Sequence, residues 1–350
     1  MRLLLITNDY PPKPGGIQQY LGNVIAAYPD EYHIIAPADP AAKPDDRISR
    51  HESAFMWPTK KVASWIGARA AAFAPDVILF GAPHPLPYLG PGLRERLGAP
   101  YGVLSHGAEV TLPAAFPGTR QAVAKALRDA DVRFAVSRFT SDRVKRLTGK
   151  DVVFVGAGVD IETFTAPPNG NDEVPVVGCI SRFVPRKGQH RLLEAAALLD
   201  RPVEVLLVGR GRKEADLRRK ADNLGVKARF AVDVPWINLP DLYRTMDIFC
   251  MPCKSRWGGL EVEGLGLVFL EAAASGLPVL AGDSGGSPET VIPGETGYVV
   301  HSVDDIVEGL EILVDDPAGS RRMGLAGRRF VEEVFTWPKV VERFRAGFES

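Results

Sequence analysis

The sequence predicts an α/β protein of two domains, each a parallel sheet covered by helices on both faces. Three observations predict it. Short apolar runs alternate with helical patterns from Arg2 to Val155. The alternation breaks at Ala166–Glu173, a stretch of turn formers and acid, and then restarts. The chain has 350 residues, more than one core ordinarily organises.

Arg2-Leu3-Leu4-Leu5-Ile6-Thr7 reads as a buried strand. It runs into Asn8-Asp9-Tyr10-Pro11-Pro12-Lys13-Pro14-Gly15-Gly16, where the prolines can continue neither strand nor helix. A helical pattern follows from Ile17 to Ala27, so the glycines sit at a helix start whose backbone N–H groups attract phosphate. Tyr32–Ala36, Val77–Phe80, Tyr101–Leu104, Arg133–Val136 and Val152–Val155 read as further strands. Lys61–Phe73 and Gln121–Asp129 read as helices between them, and Ala38–Trp57 as a polar, proline-containing loop. His106 follows a strand directly, beside Gly107, where the crevice of such a sheet lies.

After the linker, strands are expected at Val174–Ile180, Val203–Val208, Asp247–Met251 and Pro278–Ala281, and helices at His190–Leu199 and Ala215–Leu224. The domains are therefore set at 1–166 and 167–334, with a cleft between them. Residues 335–350 form a C-terminal helix able to pack back on the first domain through Trp337 or Phe344.

A formal net charge of −1 argues against a dedicated nucleic-acid binder. The balance is locally uneven: Arg120–Lys150 carries nine cations against three acids. That segment is a solvated helix face or a surface for an anionic membrane. Cys179, Cys250 and Cys253 are few and odd in number, which suits a reducing compartment. Cys250-Met251-Pro252-Cys253 ends an apolar run and reads as core. Met1–Thr7 is too short for a signal peptide, and no apolar run reaches the length of a membrane span. A cytoplasmic protein is expected, one able to sit peripherally on the inner face of the plasma membrane.

Two constellations carry chemistry. Ser181-Arg182-Phe183-Val184-Pro185-Arg186-Lys187-Gly188-Gln189 puts three cations after a strand, and Arg182 and Lys187 suit a diphosphate. Glu263-Gly264-Leu265-Gly266-Leu267-Val268-Phe269-Leu270-Glu271 brackets a glycine-containing loop with two acids. Glu271 is placed where the next helix begins, with Ala272–Ser275 as the helical run. An anion at that helix start, a ribose on Glu271 and a sugar on Glu263 together have the shape of a nucleotide-sugar. Gly209 and Gly211 give backbone room for a base or ribose, or form a tight turn. The dinucleotide fingerprint is broken because Glu occupies position 214. Asp129-Ala130-Asp131 precedes a strand and reads as loop; no zinc spacing, P-loop or nucleophile elbow is present.

These residues, with Ser284–Thr290, resemble the retaining family 4 glycosyltransferases of the GT-B fold, two Rossmann-like domains whose parallel sheets face each other across a cleft. Thr7–Pro12, Gly15–Gln18 and Arg256-Trp257-Gly258-Gly259-Leu260-Glu261-Val262-Glu263-Gly264 resemble one branch more closely, the bacterial phosphatidylinositol mannoside α-mannosyltransferases that use GDP-mannose. The resemblance implies roles. Arg182 and Lys187 stabilise the departing diphosphate, Glu271 holds ribose, and Glu263 holds the transferred sugar. Gly209 and the backbone of Gly266, Leu267 and Val268 contact the donor, and Gly16 reaches its diphosphate. His106 lies near sugar and acceptor, and Asp9 on the acceptor side. Arg182, Lys187, Glu263 and His106 are thus the catalytic candidates, with no metal and no cofactor beyond the donor. The acceptor implied is a lipid.

Three other readings stay open: a transferase of the same fold using a UDP-sugar and another acceptor, a non-catalytic nucleotide-sugar-binding protein, and a dinucleotide oxidoreductase.

Overall fold

A computed structural model describes residues 1–111, 117–166 and 174–350. The expected linker, apart from Ala166, lies outside the described residues. The chain forms two compact units, Met1–Gly158 with Trp337–Ser350, and Val159–Thr336.

The first unit holds seven parallel strands: β1 (Leu3–Ile6), β2 (Tyr32–Pro37), β3 (Ile48–His51), β4 (Val77–Phe80), β5 (Tyr101–Ser105), β6 (Val132–Ala135) and β7 (Val153–Phe154). Their order is β3-β2-β1-β4-β5-β6-β7. The central strands are buried on both faces, which is why they read as continuous apolar runs. Leu4, Ile6, Ile78, Phe80 and Val103 share one core. Strand β3 corrects the reading of Ala38–Trp57 as loop throughout. Ile48-Ser49-Arg50-His51 is a half-exposed edge strand with one aliphatic residue, so it carries no apolar run. The last helix, Trp337–Glu349, belongs to this unit. Trp337 meets Tyr20 edge-on at 5.4 Å, and Phe344 meets Phe134 at 4.7 Å between ring centroids.

The second unit holds six parallel strands: β8 (Val176–Ile180), β9 (Glu204–Val208), β10 (Ala228–Ala231), β11 (Ile248–Met251), β12 (Val279–Gly282) and β13 (Gly297–Val300). Their order is β10-β9-β8-β11-β12-β13. In each sheet the strand order reverses once, between β1 and β4 and between β8 and β11. Loops at the carboxyl ends beside such a reversal splay apart and leave a crevice for a ligand. The cation loop follows β8, and the chain carrying Glu263 follows β11.

One expectation is corrected here. The helix runs over Leu267–Ala274, so Glu271 lies in its middle and not at its start. Gly266 precedes the first helical residue with φ of 93°, a conformation that glycine tolerates best. Leu267-Val268-Phe269-Leu270 shows no polar face because Phe269 to Ala274 are buried all round.

Candidate active site

The second unit brings most of the candidates together. Lys187 and Arg186 lie in a short 3-10 turn, Pro185–Lys187, and both are buried. Their charges converge on one carboxylate. Lys187 Nζ donates to Glu263 Oε2 at 2.7 Å, and Arg186 Nη1 donates to the same oxygen. Burial pushes the Glu263 carboxyl up, but the Lys187 and Arg186 charges outweigh it and hold the group down at about 2. The backbone of Glu263 is fixed as well. Its N–H donates to Ser284 Oγ at 3.1 Å, and its carbonyl accepts from Gly286 N–H at 3.0 Å. The downstream glycine cluster therefore clamps this acid in place.

A second acid extends the network. Glu261 Oε1 lies 3.7 Å from Arg186 Nε, and Glu261 Oε2 accepts from Arg256 Nη1 at 3.4 Å. Sequence reasoning missed Arg186 and Glu261 as partners of the site. Arg186 stands next to Lys187, but its acid is 77 residues away. Only the pairing of β8 with β11 brings them together.

Arg182 is exposed, unlike its two neighbours. Its carbonyl accepts from Gln189 Nε2 at 2.9 Å, which fixes the loop and leaves the guanidinium outward in solvent. Glu271 is buried, and its Oε2 accepts from Tyr243 O–H at 2.8 Å. Burial raises its carboxyl to about 7, against the hydrogen bond from Tyr243. Tyr243 was not foreseen; nothing in its sequence neighbourhood marks it as the partner of a residue 28 positions on.

A cavity of about 390 Å³ opens between these loops, lined by Ser181, Val208, Gly209, Arg210, Asp233 and Val268 among others. Its size and mixed lining suit a nucleobase with part of its sugar. Gly209 lines it and is also forced by packing: a Cβ there would stand 2.1 Å from the carbonyl oxygen of Ser181. The N–H groups of Leu267 and Val268 open the helix that follows Gly266, in the first turn, where no carbonyl of the same helix reaches them.

In the first unit, Asp9 Oδ1 accepts from Gln18 Nε2 at 2.6 Å and from Lys13 Nζ at 3.2 Å. Gly16 begins the helix Gly16–Ala26, and a Cβ added there would meet nothing within 4 Å. His106 is buried against the edge of Tyr20, and its Nε2 lies 3.0 Å from the carbonyl oxygen of Gly81. A carbonyl only accepts, so Nε2 carries a proton.

The basic segment spends part of its charge internally. Lys145 pairs with Asp151 at 2.8 Å, and Arg133 donates to the carbonyl groups of Ala130, Asp131 and Asp151. Arg120, Arg128, Arg146 and Lys150 are exposed. Asp131 is held by Arg94 and the N–H of Tyr101. Among the described residues, no group of three His, Cys, Asp or Glu side chains gathers as metal ligands, and no helix is long and apolar enough to cross a membrane.

The chain is similar to known proteins over nearly its whole length. Residues 160–330 match the family described as glycosyl transferases group 1, and residues 14–163 match glycosyltransferase family 4. A GDP-mannose-dependent α-(1-6)-phosphatidylinositol monomannoside mannosyltransferase of Mycolicibacterium smegmatis is 38% identical, over 96% of this chain and 95% of its own. A GDP-mannose-dependent monoacylated α-(1-6)-phosphatidylinositol monomannoside mannosyltransferase of Corynebacterium glutamicum is 37% identical, over 98% and 96%. Among solved structures, Anabaena Alr3699/HepE in complex with UDP superposes with a TM-score of 0.82 at 18% identity over the whole of both chains. Sucrose-phosphate synthase from Thermosynechococcus elongatus gives 0.78 at 21% identity, over 99% and 98%. The structural likeness shows the fold, GT-B.

Proposed function

Because the chain belongs to the group 1 and family 4 glycosyltransferases, we propose that it moves mannose from GDP-mannose onto a phosphatidylinositol mannoside with retention of configuration. The observation that carries this reading is the cation pair Arg186–Lys187 shared on Glu263, beside an unshielded Arg182 and a base-sized cavity. Support for the donor and acceptor comes from relatives of 36–38% identity whose names specify both.

The chemistry follows from charge. The bond from the anomeric carbon to the diphosphate oxygen breaks, the acceptor oxygen bonds to that carbon, and the acceptor proton passes to the leaving phosphate on the same face. Positive charge develops on the sugar and negative charge on the leaving group. Arg182 and Lys187 answer the second, held ready at the carboxyl end of β8. Lys187 turns from Glu263 toward the diphosphate while Arg186 keeps that acid neutralised. Glu263 is then an ionised acceptor for sugar hydroxyls, and Glu271 accepts from the ribose diol. Gly209, Gly266, Leu267 and Val268 supply backbone to the donor, and Gly16 supplies an open helix start. His106 hydrogen-bonds a hydroxyl of the sugar or acceptor, with Asp9 on the acceptor side. No metal is given a role. A lipid acceptor requires work at a membrane surface, for which the exposed cations of segment 120–150 are the assigned contact, on the cytoplasmic face.

The test is transfer of radiolabelled mannose from GDP-mannose to phosphatidylinositol monomannoside, with the anomeric configuration of the product read by NMR. An α-linked product supports the proposal. Transfer from a UDP-sugar but not from GDP-mannose would overturn the donor assignment.

A further inference from the structure

The loops after β1, β3, β4 and β5 in the first unit are tied into one frame. The Asn8 side chain bonds the backbone of Met56 twice: Nδ2 donates to its carbonyl at 3.1 Å, and Oδ1 accepts its N–H at 2.8 Å. Gly81 N–H donates to the carbonyl of Ile6 at 3.0 Å, and His106 donates from Nε2 to the carbonyl of Gly81. This frame stands at the strand reversal between β1 and β4.

Four aromatic rings stand on it in an unbroken row. Phe55 and Trp57 are 5.0 Å apart between centroids, Trp57 and His84 6.2 Å, and His84 and Tyr88 5.5 Å. Phe55 is 40% exposed and Trp57 57%. His84 is exposed too, and its Nδ1 lies 2.8 Å from the hydroxyl of Tyr88. Exposed rings standing side by side on a frame of buried hydrogen bonds mark a contact site. A row that combines open ring faces with a phenol–imidazole pair matches a sugar or cyclitol ring. Such a ring has an apolar C–H face to stack and hydroxyls at its rim to hydrogen-bond. An acyl chain would use the ring faces but make no hydrogen bond with the pair.

We propose that this row is the carbohydrate subsite for the acceptor. A ring of the acceptor headgroup stacks on Trp57, Phe55 extends the platform, and the His84–Tyr88 pair takes a ring hydroxyl. The proposal rests on the transferase reading above and adds to it the residues that select the acceptor.

The experiment uses the full-length protein, its Trp57→Ala, Trp57→Phe and Tyr88→Phe variants, and a deacylated, water-soluble phosphatidylinositol monomannoside headgroup. Binding is read by saturation-transfer NMR of the headgroup and transfer by label from GDP-mannose; thermal melts check the fold. Trp57→Ala should abolish the NMR signal and raise the acceptor KM tenfold or more, with kcat and the donor KM within twofold. Trp57→Phe should restore most of the loss, and Tyr88→Phe should cost a few-fold. An unchanged headgroup signal and acceptor KM in Trp57→Ala would overturn the subsite. So would a loss confined to acceptor carried in vesicles, which assigns the row to the lipid surface. If wild type binds GDP-mannose but does not transfer, while the headgroup signal still depends on Trp57, the transferase reading fails and the subsite stands.

Discussion

Arg186→Gln removes one of the two cations that hold Glu263. In the native protein the carboxyl sits at about 2 in place of 4.5, a difference of about 3 kcal/mol between its two protonation states. That figure is the surplus of two cations over burial, and the side chain of Glu263 is only 13% exposed. With Lys187 alone, the same burial is opposed by one charge, so most of the surplus goes; Lys187 keeps the loss below that of an orphaned ion. The expected destabilisation is about 2 kcal/mol, a fall in Tm of about 4–8 °C for a unit of this size. The pH dependence has a definite sign. The folded-state value is depressed, so the contribution is complete above about pH 4.5 and fades as pH falls toward 2. Urea titrations of wild type and Arg186→Gln should therefore differ at pH 7 and converge toward pH 3. The cycle with Glu263→Gln should show coupling of about 1–2 kcal/mol at pH 7. Because Lys187 becomes the sole counter-ion of Glu263, transfer should fall about tenfold or more. Equal urea midpoints at pH 7, a difference that persists unchanged at pH 3, or strict additivity in the cycle would refute the reasoning.

Other perturbations separate stability from binding. Glu271→Gln should stabilise the unliganded protein at pH 8 by about 1–3 kcal/mol and leave it unchanged near pH 4; the raised carboxyl contributes fully below 4.5 and loses that contribution as pH rises through about 7. The same variant should weaken the donor KM about tenfold, because an amide accepts less well from a diol. Arg182→Ala should leave Tm within about 1 °C, since the side chain is exposed, yet reduce kcat about a hundredfold or more. Gly209→Ala should destabilise by about 2–3 kcal/mol and depress GDP binding in calorimetry, since its Cβ would stand 2.1 Å from the carbonyl oxygen of Ser181.

The sequence announces the middle of each sheet and conceals the rims. Strands β1, β4, β8 and β11 are buried on both faces, and Leu3-Leu4-Leu5-Ile6 or Ile248-Phe249-Cys250-Met251 admits little but strand. Edge strand β3, with its Ile48-Ser49-Arg50-His51, is half-buried and has no periodic run long enough to notice. The helix Leu267–Ala274 was misplaced for the opposite reason: burial all round removes the polar stripe that sets a helix register. The residue types of the candidate site were visible, because three cations after one strand and two acids around glycines have few structural uses. Their partners were not. That Glu263 is shared between Lys187 and Arg186, and that Glu271 faces Tyr243, depends on which strands become neighbours, and chain order does not state it.

The helix Trp337–Glu349 also fixes an order of assembly. Phe344 and Phe348 close over Phe134, and Arg343 donates to the carbonyl of Val155 at 3.1 Å, so the first unit is completed by a segment that follows the whole of the second in the chain. A chain emerging from the ribosome can finish Val159–Thr336 while the β6–β7 edge of the earlier unit still waits for its cover. The amino-terminal unit therefore cannot be complete until the whole of Val159–Thr336 has been made. Until then Phe134 lacks the two rings, Phe344 and Phe348, that close over it.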